Sequence, residues 1–88
     1  MAVVKIKTKS GFECEIDEVV VNDMEVLDLV VDIEKGNALK YPELLTKLLS
    51  EETKRRLYDH VRVAGRVPYV AIDAEITEIF VALNGGKN

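Results

Sequence analysis

One cysteine, one histidine, two prolines and no tryptophan stand among the 88 residues. A single thiol cannot close an internal disulfide, and the reducing cytosol is the expected home. One histidine with one cysteine cannot make a zinc site unless carboxylates complete it. No apolar run approaches the ~20 residues that a membrane-spanning helix needs. The N-terminal lysines alternate with valine and isoleucine instead of preceding an apolar block, so the layout of a signal peptide is missing. Bases are absent from a long stretch: residues 13 to 34 hold nine acids and no lysine or arginine.

What is present is a small globular composition, 48% hydrophobic and 32% charged. A chain this short buries only ~60–65% of its unfolded surface, enough for one domain. The expected domain spans residues 1 to 84, followed by a flexible tail over 85 to 88. The net charge of −4 hides a segregation. Residues 35 to 66 hold eight bases against four acids, and residues 67 to 83 carry only Asp73, Glu75 and Glu78. An acidic protein has no general attraction to nucleic acid. Opposite-signed halves can attract each other within the fold or between copies.

Two alternating runs open the chain. Val4, Ile6 and Thr8 face one way and Lys5, Lys7 and Lys9 the other; Phe12, Cys14 and Ile16 oppose Glu13, Glu15 and Asp17. Such runs around a glycine read as a β-hairpin. A two-residue Ser10-Gly11 loop would set lysines against phenylalanine and cysteine. A three-residue loop, Lys9-Ser10-Gly11, pairs Thr8 with Phe12, Ile6 with Cys14 and Val4 with Ile16. It also needs a left-handed third residue, which Gly11 supplies.

Asp23 to Glu34 reads as a helix with Asn22 or Asp23 at its N-cap and Gly36 beyond its end. Glu25, Asp28 and Asp32 form an acidic stripe between two apolar flanks. Met24, Leu27, Val30 and Val31 line one flank; Val26, Leu29 and Ile33 line the other. A helix apolar most of the way round is expected to be central and buried, covering the Val4, Ile6, Phe12, Cys14 and Ile16 face of the hairpin. On that reading Leu27→Asp abolishes folding. Tyr41-Pro42 opens a short helix with Leu44, Leu45, Leu48 and Leu49 on one stripe. Ser50 starts a third, running to about Ala64 with Leu57, Val61 and Ala64 inward and Gly65 as its stop. Pro68 opens the last, with Tyr69, Ile72, Ile76, Ile79, Phe80 and Leu83 as its core stripe and Gly85-Gly86 at its end. The expected fold is α+β, mostly helical: an N-terminal β-hairpin packed on about four α-helices.

Nothing assembles into a catalytic constellation, and no cofactor is expected. Cys14 lies on the apolar face of the hairpin, where a cysteine behaves as a small hydrophobe. His60 and Asp59 are adjacent in sequence and therefore on different helix faces. The acids of the first helix lack the loop geometry of a calcium site. Lys54-Arg55-Arg56 has no interleaved aromatics to stack on bases. Gly85-Gly86-Lys87 has neither the strand nor the helix that frames a phosphate loop. Apolar surface left over after the core is filled is the remaining candidate site, and it marks an interface for self-association. Val26, Leu29 and Ile33 are its expected members, with the minor stripe Val70, Ala74 and Val81 of the last helix. The same surfaces could dock an amphipathic helix.

The order of segments resembles a known family. The hairpin VKIKTKSGFECEID, the acidic-apolar helix, the Pro-Glu-Leu-Leu segment, the Gly65-Arg66-Val67-Pro68 entry and the Glu78-Ile79-Phe80-Val81-Ala82-Leu83 end resemble the small tail assembly chaperones of long-tailed phages and prophages of Gram-positive bacteria. The resemblance implies a non-catalytic, self-associating protein in the cytoplasm of the bacterial host. It implies binding to the tape-measure protein and help in recruiting tail-tube subunits. It also implies a programmed −1 frameshift near the end of the short reading frame, for which Gly-Gly-Lys and Gly-Lys-Asn permit slippery heptamers. A small antitoxin-like regulatory or interaction domain is the alternative, decided by the neighbouring genes.

Overall fold

The computed structural model describes residues 2 to 84. Its elements are β1 (Val3–Lys7), β2 (Glu13–Asp17), α1 (Met24–Glu34), α2 (Tyr41–Leu48), α3 (Glu51–Val61) and α4 (Tyr69–Asn84). Short 3-10 segments, Glu18–Asn22 and Ala38–Lys40, lead into α1 and α2. This is an α+β, mostly helical fold with an N-terminal hairpin and four α-helices. The hairpin register follows from face matching: Val4 pairs with Ile16, Lys5 with Glu15, Ile6 with Cys14 and Lys7 with Glu13. The Thr8 amide donates to the Phe12 carbonyl at 2.9 Å and the Gly11 amide to the Thr8 carbonyl at 2.9 Å, closing the three-residue loop. Gly11 is left-handed, φ 96°. The Lys7 ammonium stands 3.8 Å from the Glu13 carboxylate.

Local chemistry sets the helix ends. The Asp23 carboxylate caps α1 by accepting from the Glu25 amide at 2.8 Å, and Ser50 caps α3 by accepting from the Thr53 amide at 3.1 Å. At the far end of α1 the Gly36 amide bonds the Ile33 carbonyl and the Asn37 amide the Asp32 carbonyl. That pair of bonds, with Gly36 at φ 103°, is a glycine-terminated helix stop.

One core joins all the elements: Ile6, Phe12, Cys14 and Ile16 of the hairpin, Val26 and Leu29 of α1, Leu44, Leu45 and Leu48 of α2 with Leu49 at its end, Leu57 of α3, and Ile72, Ile76, Ile79 and Leu83 of α4. The hairpin face is covered by α4 and α3, where α1 was expected. β1 packs against α4, and the Phe12 ring meets His60 at 5.4 Å and Arg56 at 5.5 Å, both from α3. α1 instead packs on α2 and the two 3-10 segments. It lies at the edge of the core and buries only one flank.

Two further expectations are corrected. α3 ends at Val61, not near Ala64. Ala64 (φ 52°) and Gly65 (φ 79°) form a two-residue left-handed turn, closed by reciprocal Val63–Arg66 backbone bonds of 2.8 and 3.0 Å. Ala64 is therefore exposed. Tyr69 is also exposed rather than part of the α4 stripe. The expected flexible tail, and with it the Gly85-Gly86 stop, lies outside the described residues.

Candidate interaction surface

The two flanks of α1 part company in the structure. Val26 is 1% exposed and Leu29 6%, with Ile33 half-buried against the core. Neither Val26 nor Leu29 is the leftover surface expected of it, because α2 covers that side of the helix. Met24, Leu27 and Val31 form the outward stripe, Leu27 at 39% exposure. The partner stripe on α4 stays where it was expected. Val70 is 69% exposed and Val81 59%, with Ala74 exposed between them.

Between α1 and α4 lies a cleft of about 150 Å³. Val30 and Ile33 from α1, Leu44 from α2, and Ile76 and Phe80 from α4 make its apolar lining. Glu34, Asp73, Thr77 and Val81 stand at its edges. Tyr41 sits at the bottom and donates its hydroxyl proton to the Asp73 carboxylate. Burial and the Asp73 carboxylate, by bond and by charge, push that hydroxyl well above the ordinary tyrosine pKa. The cleft runs on into a second cavity of about 220 Å³ that shares Ile33, Glu34 and Asp73. Around the far side of Tyr41, Ala38, Leu39, Pro42 and Tyr69 border an apolar hollow of about 320 Å³. The larger opening beside the hairpin, about 540 Å³, is lined mainly by charged side chains such as Lys5, Lys7, Glu13 and Arg56. It is a wet shelf with little apolar area to bury.

A polar cluster at the hairpin tip escaped notice in the sequence. Ser10 Oγ donates to Glu75 Oε2 at 2.6 Å and lies 2.9 Å from His60 Nε2, while the Lys9 amide donates to Glu78 Oε1 at 2.9 Å. Glu75 is only 5% exposed, and its Oε1 is buried without a partner. Its signal in the sequence was weak: on a helical projection Glu75 falls just outside the arc of Ile72, Ile76 and Ile79, between Ile79 and Ala82. The arrangement differs from that of an activated serine, in which histidine takes the hydroxyl proton and the carboxylate orients the histidine. Here the serine proton points at the carboxylate, and the three groups tie the hairpin tip to α3 and α4.

Cys14 is buried, and burial raises its thiol pKa, opposed by the nearby Arg56 charge and aided by Glu75. Among the described residues no three His, Cys, Asp or Glu side chains gather as a metal-binding group. None of the helices there is long and apolar enough to cross a membrane. The basic run of α3 is dispersed: Arg56 donates to the Glu13 carbonyl at 3.0 Å and Lys54 stands over the Tyr58 ring. Comparison with known protein families, curated proteins and solved structures finds no match.

Proposed function

We propose that this chain is a non-catalytic tail assembly chaperone of a long-tailed phage or prophage, working in the cytoplasm of the bacterial host. It binds the tape-measure protein, helps recruit tail-tube subunits and associates with itself. The observation that carries the reading is the apolar cleft between α1 and α4, with Val81 exposed at its edge and Leu27, Val31 and Val70 exposed elsewhere on the same two helices. A chain of 88 residues with so much unpartnered apolar surface beside a groove fits a protein that shields helical segments of another.

The test is co-expression with the tape-measure protein encoded nearby. The expected result is that the tape-measure protein stays in the supernatant and co-purifies with this chain. Aggregation of the tape-measure protein to the same extent with and without the chain overturns the reading. The codons provide an independent check. GGG GGA AAR or GGA AAA AAY across Gly85 to Asn88, with a −1 frame open well past Asn88, is expected. Codons that break both heptamers exclude the frameshift and remove that support.

A further inference from the structure

The cleft between α1 and α4 has a charge as well as a shape. Glu34 rims it from α1 and Asp73 from α4, and both also line the adjoining cavity. Among the described residues, no lysine or arginine lines either cavity. Glu34 is close enough to Tyr41 for its charge to help hold the phenol protonated. Apart from the Tyr41 hydroxyl, which Asp73 already engages, the floor is apolar, and the cleft itself holds about 150 Å³. It suits one or two apolar side chains presented from a helix.

Resting on the reading of this cleft as a docking site, we propose that its occupant is an amphipathic helix of a partner protein bordered by lysine or arginine. A helix bordered by acids would set like charges against Glu34 and Asp73 with no base in the cleft to compensate. A matching positive border neutralises them and speeds encounter. The chain's own basic helix is not the occupant. In α3 the apolar Leu57 is fully buried and Val61 packs against the core, so a second copy has no basic helix with a free apolar face to offer.

Two synthetic helical peptides with the same leucine face at i, i+3, i+4 and i+7, one flanked by lysines and one by glutamates, test this by fluorescence anisotropy with the full chain. The lysine peptide is expected to bind one-to-one and at least tenfold tighter, with the advantage shrinking as salt rises. Glu34→Lys/Asp73→Lys should lose that binding at least tenfold. Glu51→Lys/Glu52→Lys on α3 makes the same charge change away from the cleft and should not. Thermal melts accompany each variant, and Glu34→Lys alone, at an exposed position, keeps the test if loss of the Tyr41–Asp73 bond unfolds the double variant. Equal losses in both pairs would mean general attraction to an acidic protein and overturn the proposal. Equal binding of the two peptides overturns the charge class while leaving the docking cleft intact. A wild-type dimer that Glu34→Lys dissociates names a second copy as occupant and also overturns it. None of these outcomes bears on whether the tape-measure protein is kept in solution, which co-expression decides separately.

Discussion

Val26 and Leu27 are neighbours with opposite fates, one 1% exposed and the other 39%. A charge at Val26 has no water and no partner, so Val26→Asp should cost roughly 3–5 kcal/mol, most of what a domain this small has. Leu27→Asp, once expected to abolish folding, should change stability by about 1 kcal/mol or less. Urea midpoints of the two variants check this, and a Leu27→Asp chain that fails to fold would contradict the outward stripe. Tyr41 makes a pH-dependent contribution. In the unfolded chain its hydroxyl ionises near pH 10; in the fold, burial and Asp73 keep it protonated to higher pH. The unfolded state therefore releases a proton first, so this contribution is whole below about pH 10 and fades as pH rises above it. Lys47, whose pKa is raised by its bond to and the charge of Glu25, acts in the same direction. Tyr41→Phe should flatten the alkaline fall in melting temperature; an unchanged slope means that Tyr41 is not its source.

At the scale of elements, the turn after α3 is the least expected feature and the easiest to improve. Ala64 occupies a left-handed position at φ 52°, where a Cβ costs roughly 1–2 kcal/mol. Asparagine followed by glycine is the favoured pair for such a turn, so Ala64→Asn should raise stability by about 0.5–1 kcal/mol. Gly65→Ala should lower it, even though an added Cβ meets no atom within 4 Å, because the strain is in the backbone. Thermal melts of both variants decide it. The turn was illegible for a physical reason: alanine is the best helix former, and Leu57, Val61 and Ala64 continue the spacing of a helical stripe. The hairpin was legible to its register because shifting it by one residue would turn every apolar side chain outward. The cleft was half-legible. Val70, Ala74 and Val81 could be read as a second stripe on α4, whereas the flanks of α1 are equally apolar. Which flank is buried depends on α2 and the neighbouring 3-10 segments, and no pattern within α1 encodes that.

For the whole molecule, the exposed stripe of α4 has a spacing suited to self-association. Val70, Ala74, Thr77 and Val81 follow one another at intervals of four, three and four residues, the repeat of a two-helix seam. Set antiparallel about its midpoint, the seam places Val70 opposite Val81 and Ala74 opposite Thr77 of a second copy, as a twofold interface requires. Small residues at the centre allow close approach of the helices. Light scattering during gel filtration should therefore show a dimer at tens of micromolar. Ala74→Arg should return it to a monomer with an unchanged melting curve, because Ala74 is exposed. A wild-type chain that is strictly monomeric at that concentration would sink the seam. Thr77 and Val81 belong to the seam and also edge the α1–α4 cleft, so pairing of α4 and filling of the cleft compete for the same side chains. Adding the lysine-flanked peptide should then convert the dimer to a one-to-one complex, by the same mass action through which any ligand favours the state that binds it. Peptide binding that leaves the dimer intact would separate the two surfaces and place self-association elsewhere on the molecule.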